Sequence, residues 1–127
     1  MLPVKVLARV RPVMDKAGET SAGVQVRLKV NTTSQEIVSG FGSAQKTYTF
    51  THALGPDSNQ DTVWGAVGAP AIEDVWHGQN VAFLSYGPRG SGKRFTTMGD
   101  SRETGLIPRL SEALFSKIAA AKSDGGS

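Results

Sequence analysis

Apolar and polar residues alternate near the start of the chain, where Val4, Val6, Ala8 and Val10 are separated by Lys5, Leu7, Arg9 and Arg11. A period of two predicts a half-buried strand, and Pro12, which has no N–H for a ladder, ends it. Val24, Val26, Leu28 and Val30 fall between Gln25, Arg27 and Lys29 and predict a second strand with one solvated face. Residues 31–34 are turn material. Residues 46–51 (KTYTFT) set Tyr48 and Phe50 on one face and predict a third strand. The first section therefore reads as a small antiparallel sheet region.

From Ser58 the spacing changes to three and four. Ser58 suits a helix cap, and Asp61 in the first turn favours the helix dipole. Val63, Trp64, Val67, Ala71, Ile72, Val75 and Trp76 then form one apolar face. Pro70 removes a backbone donor and should kink or divide this helix, and Gly78 should close it in a left-handed conformation. Residues 81–86 (VAFLSY) have no polar alternation. They predict a strand buried on both faces, as in a parallel sheet covered by helices, with Phe83 and Tyr86 in the core. In the last helix Pro108 suits the first turn, and Leu110, Ala113, Leu114, Lys117 and Ile118 supply the packed face. Residues 123–127 (SDGGS) carry no packing signal and read as a flexible tail behind a domain of residues 1–122.

Composition narrows the chemistry. The 127 residues are 39% hydrophobic and 20% charged, which fits one globular domain, and no apolar run is long enough to span a bilayer. The absence of cysteine excludes disulfides, thiolate metal sites and a cysteine nucleophile. The first residues lack a secretory apolar core, so a cytoplasmic location is expected. His52 and His77 accompany no cysteine or glutamate at ligand spacing, so no metal site is assigned. Ser85, Ser91 and Ser111 sit in no nucleophile elbow, and no catalytic residue is assigned.

The net charge of +3 is unevenly spread. Residues 1–50 hold seven basic and three acidic residues, and residues 51–86 hold four acids and no base. Residues 87–127 hold seven bases and four acids. A chain so divided is not a uniformly basic nucleic-acid binder.

Part of the late positive charge sits in GPRGSGKR, the run Gly87, Pro88, Arg89, Gly90, Ser91, Gly92, Lys93 and Arg94. Seven of these eight positions satisfy the phosphate-loop pattern G-x-x-x-x-G-K-[ST]. Glycines let the backbone curl around phosphate oxygens, the lysine reaches the β- and γ-phosphates, and the following helix N-terminus adds positive dipole. The eighth position fails. Arg94 stands where a Ser or Thr hydroxyl would meet Mg²⁺, and a guanidinium has no acceptor atom to coordinate a metal. The loop is expected to attract polyphosphate while holding Mg²⁺ poorly.

These residues, with others in order along the chain, resemble the N-terminal part of a kinesin motor domain. VKVLARVRP is similar to the first strand and its R-x-R-P motif, at Arg9, Arg11 and Pro12. YTFTHAL resembles the Y-x-F-D-x-V-F segment, with Thr51 in place of the usual Asp, and SNQDTVW resembles the start of the helix before the phosphate loop. Residues 80–100 align without a gap to the family's loop segment, with Pro88, Arg89 and Arg94 as departures. GLIPRLSEALF, residues 105–115, resembles G-I-I-P-R-x-x-x-x-L-F.

The resemblance implies an α/β fold of the P-loop NTPase type, a mixed sheet with flanking helices, incomplete here. It implies ATP as ligand with Mg²⁺, and adenine framed by Arg11, Pro12 and Phe95. It also implies microtubules as partner and a cytoplasmic, cytoskeletal setting without a membrane. Neither the N-x-x-S-S-R-S-H nor the D-L-A-G-S-E switch sequence occurs in the 127 residues. In the family fold the first strand and the phosphate-loop strand are separated by a later strand, so uncovered strand edges and apolar faces are expected. Two alternatives stay open. One is a diverged module that binds nucleotide without catalysis, and the other a basic loop that takes a polyanion through Arg89, Lys93 and Arg94.

Overall fold

The computed structural model describes residues 4–12, 28–40 and 42–125. The first half of the second predicted strand, residues 24–27, and the end of the tail lie outside the described residues. The chain forms two compact units, Met1–Ser58 and Asn59–Ser127.

The first unit holds five strands: β1 (Leu7–Arg9), β2 (Leu28–Asn31), β3 (Glu36–Ser39), β4 (Lys46–Thr49) and β5 (His52–Leu54). The antiparallel expectation holds for β2–β3–β4, in the register Leu28↔Ser39 and Glu36↔Thr49. It fails for β1, which pairs in parallel with β5 (Leu7↔His52, Arg9↔Leu54). Parallel neighbours need a crossover, and the whole β2–β4 region lies between them in sequence. Neither β3 (EIVS) nor β5 (HAL) was legible from alternation, because each sets two apolar residues side by side. Ala53 and Leu54 of β5 are nonetheless buried.

Side chains stitch these short strands together. Asn31 Oδ1 accepts from the N–H groups of Thr33 and Ser34 at 3.0 and 3.1 Å, which makes the predicted turn. Gln35 then takes φ +58, a conformation costly for a side chain other than glycine. Its amide offsets the strain by donating to the Thr32 carbonyl and accepting from the Ala53 N–H, both at 2.5 Å. Thr51, which departs from the family's acid, accepts from the Val6 N–H at 3.0 Å and so joins the ends of the parallel pair.

The second unit opens with a helical stretch in three pieces: α1 (Gln60–Val63), a π-helical turn (Trp64–Gly68) and α2 (Ala69–Trp76). Its cap is Asn59, not Ser58. Asn59 Oδ1 accepts from the Thr62 N–H at 2.9 Å, while the Ser58 hydroxyl accepts from Arg9 Nε at 3.3 Å within the first unit. The expected break at Pro70 is absorbed by the π turn. Ala69 N–H reaches the Trp64 carbonyl five residues back, which puts Pro70 in the first turn of α2, where its missing donor is tolerated. Val63, Ala71 and Ile72 of the predicted stripe are buried, whereas Val75 and Trp76 are exposed. Gly78 closes the helix as expected, at φ +83.

The largest departure lies at residues 81–86. No strand among the described residues pairs with this segment, and Leu84 and Tyr86 are 92% and 95% exposed. Phe83 is exposed as well, so neither Phe83 nor Tyr86 is the core residue expected. A strand buried on both faces needs a ladder at each edge and a layer over each face. Apolar composition alone supplies neither.

The unit ends with α3 (Lys93–Thr97) and α4 (Leu106–Ser123), whose third residue is Pro108. Lys117 of α4 bonds Glu73 of α2 at 2.6 Å and lies 5.2 Å above the Trp76 ring. That hydrogen bond, together with the ammonium charge, holds the Glu73 carboxyl below its ordinary pKa.

Gly68 is the tightest point of the π turn, because a Cβ there would stand 2.2 Å from the Trp64 ring. Gly68→Ala should therefore destabilise the chain by about 1–3 kcal/mol through overpacking, despite alanine's better helix propensity. Urea denaturation of the two proteins reads the difference, and an unchanged midpoint would refute it.

Candidate functional site

Three glycines shape the loop of residues 87–94, at φ +157 (Gly87), +80 (Gly90) and +100 (Gly92). Side chains are strained in such backbone, and glycine is not. The Pro88 carbonyl accepts from the Ser91 N–H at 3.2 Å, giving a tight turn through Arg89 and Gly90. Lys93 Nζ then donates to the Gly87 carbonyl at 2.6 Å, so the lysine spans the loop from its last turn to its first residue. The Ser91 hydroxyl is buried and has no hydrogen-bond partner. A Cβ on Gly87 would come 2.6 Å from that hydroxyl, which is the room glycine provides.

The electrostatics differ from expectation in one respect. α3 has only five residues, too few to build a substantial macrodipole behind the loop. The positive field comes instead from Arg89, Lys93 and Arg94. Arg89 and Arg94 are exposed, and among the described residues no ion pair engages either guanidinium.

The loop is held from its C-terminal side. Gln60 is 3% exposed, and its Nε2 donates to the Phe95 carbonyl at 2.6 Å, fastening α3 to α1. Gly99 and Gly105 then cross at backbone contact, since a Cβ on Gly99 would lie 2.2 Å from the Glu103 carbonyl oxygen. Asp100 Oδ1 accepts from the N–H groups of Arg102 and Glu103 at 2.8 and 2.9 Å and folds the intervening loop. Those two bonds lower the Asp100 pKa. Arg109 completes the brace by donating to the Thr104 carbonyl at 2.9 Å and to Asp61 at 2.7 Å.

Sequence reading missed Gln60. The signal was available, because Gln60 is in phase with Val63, Trp64 and Val67 on an otherwise apolar stripe. A polar group at such a position must find a partner when buried. Of the predicted adenine-site residues, Arg9 donates to Ser58 through Nε and, at 3.2 Å, from its terminal nitrogen to the backbone carbonyl. Arg11 is exposed, Pro12 is half-buried, and Phe95 of the second unit is half-buried. An open depression of about 430 Å³ lined by Trp64, Thr104, Arg109, Glu112, Ala113 and Ser116 contains none of the predicted site residues.

A glycine-shaped loop spanned by its own lysine, entered from an apolar segment and followed by a helix, has the form of a phosphate loop. Comparison with known proteins identifies the lineage. The kinesin motor domain family profile matches residues 9–126, and the chain belongs to that family. It is 36% identical over 123 residues to the kinesin-like protein KIN-12E of Oryza sativa subsp. japonica, covering 91% of this chain and 6% of that protein. It is 34% identical over 131 residues to human kinesin-like protein KIF15, covering 97% and 9%. A solved KIF14 chain, with ADP and in complex with a microtubule, superposes with a TM-score of 0.78 at 30% identity, over 93% of this chain and 34% of that one. The chain thus spans about a tenth or less of these two curated relatives and a third of the solved structure. Its parallel and antiparallel strand pairings, together with its helices, are a partial kinesin fold. Among the described residues no helix is long and apolar enough to cross a membrane.

The residues present fit a phosphate chain but not a magnesium ion. The buried Ser91 hydroxyl lacks a partner, and the lysine is in place. Mg²⁺ needs oxygen ligands, and Arg94 offers none beside Lys93. Among the described residues no group of three or more His, Cys, Asp or Glu side chains could hold a metal.

Two outcomes follow from the brace. Gln60→Ala removes the Gln60 donor from the Phe95 carbonyl and should cost about 1–3 kcal/mol, read by chemical denaturation against wild type. Because Asp100 has a folded pKa below its unfolded value, its contribution is present above the ordinary aspartate range and lost as pH falls through the folded value. Amide exchange of Arg102 and Glu103 should therefore accelerate on acidification relative to neighbouring amides, and Asp100→Ala should abolish that dependence.

Proposed function

We propose that this chain is the nucleotide-holding part of a kinesin motor and binds ATP and ADP through the loop of residues 87–94. The observation that carries the reading is the Lys93 ammonium laid across the loop onto the Gly87 carbonyl, in a loop that also holds a buried and unpartnered Ser91 hydroxyl. A phosphate oxygen replaces the carbonyl as acceptor for Lys93 and satisfies the Ser91 hydroxyl, both as charge-assisted bonds. Phe95, directly after the loop, offers an aromatic face to adenine.

Family membership supports a place in microtubule-based movement on the cytoskeleton, and the KIF14 structure, with ADP and in complex with a microtubule, supports both ligands for the motor as a whole. ATP hydrolysis coupled to movement is the activity of that whole. One observation favours a second reading, a module that binds nucleotide without turning it over: Arg94 removes the hydroxyl that recruits Mg²⁺ to the phosphates.

Calorimetric titration of the 127-residue protein with ATP and with ADP tests the proposal. Saturable binding is expected, and Lys93→Ala should weaken it by at least about tenfold, the scale of one charge-assisted phosphate contact. Equal affinity in the variant would remove Lys93 from the site, and no binding of either nucleotide would overturn the reading.

A further inference from the structure

Resting on the nucleotide reading above, we propose that the loop is built for metal-free nucleoside triphosphate, with the Arg94 guanidinium standing in for the divalent ion. Mg²⁺ at a phosphate loop neutralises the β- and γ-phosphate oxygens and is itself held by a hydroxyl at the position after the lysine. Here that position carries a permanent cation with five N–H donors and no acceptor. A guanidinium can bond two phosphate oxygens at once, which supplies charge and geometry without an ion.

The surroundings leave Arg94 available for this role. It is exposed, and among the described residues no carboxylate pairs with it. The loop contains no acid of its own, and the next acid along the chain, Asp100, is engaged by the N–H groups of Arg102 and Glu103. Asp61 and Glu73 are taken by Arg109 and Lys117. A magnesium ion would thus enter beside Arg89, Lys93 and Arg94, with which no carboxylate among the described residues forms an ion pair to offset their repulsion.

A directional consequence follows. Complexing ATP with Mg²⁺ lowers the negative charge it presents, so the three basic residues favour the uncomplexed form. Magnesium acts here as a competitor for the nucleotide, the reverse of its ordinary role.

The experiment is a titration of the full 127-residue protein with ATP, once in EDTA and once in excess Mg²⁺, for wild type, Arg94→Thr and Arg94→Lys. Circular dichroism checks that the variants keep the wild-type fold. Wild type should bind ATP about tenfold more tightly in EDTA than in Mg²⁺. Arg94→Thr should reverse that order, and Arg94→Lys should keep it with a smaller ratio, because it retains the charge but not the planar fork. Wild-type binding that requires Mg²⁺ would overturn this inference and leave the nucleotide reading standing. A threonine variant that still prefers metal-free ATP as strongly as wild type would overturn the role of Arg94. Absence of binding in both buffers would overturn the nucleotide reading itself.

Discussion

The hydrogen bond from the buried Gln60 amide to the Phe95 carbonyl is the constraint on which the geometry of the loop depends. Residues 81–86 enter the loop without a ladder among the described residues, so the strand side offers no register. Position must then be set from the helix side. Gln60 ties the end of the loop to α1, the Gly99–Gly105 crossing returns the chain to α4, and Arg109 closes the circuit through Thr104 and Asp61. Exposed ion pairs such as Arg109–Asp61 contribute little by themselves. Their value here is that one guanidinium satisfies a loop carbonyl and a helix carboxylate together.

The departures from the family pattern are not equivalent. Thr51, where an acid is usual, still accepts the Val6 N–H, so its hydroxyl supplies an acceptor at that position. Pro88 supplies the carbonyl that closes the loop's internal turn. Arg94 changes the chemistry, because a donor-only cation replaces an acceptor at the place where a metal would be held. Ligand choice is sensitive to the last of these.

Much of the architecture was legible in order and type. The helical stretch from Gln60 to Trp76, its glycine stop, the last helix and the glycine-rich loop follow from spacing and from glycine and proline chemistry. Where reading failed, a non-local partner decided the outcome. Ser58 and Asn59 are both competent caps, and the bond from Arg9 to Ser58 separates their roles. Pro70 can break a helix, but a π turn upstream, made roomy by Gly68, lets the helix continue. β3 and β5 show no alternation, and only pairing makes them strands.

The sequence by itself determined the loop: which positions tolerate left-handed backbone, where the cations stand, and that the position after Lys93 carries no side-chain oxygen. These are properties of single residues and their neighbours, and no distant contact alters them. Tertiary structure decided what those residues are held by. It made Gln60 a brace, set the parallel pairing of β1 with β5, and left residues 81–86 exposed. An apolar run states only that burial is favourable. Whether it is buried depends on partners at its edges and faces, and a strand cannot supply its own.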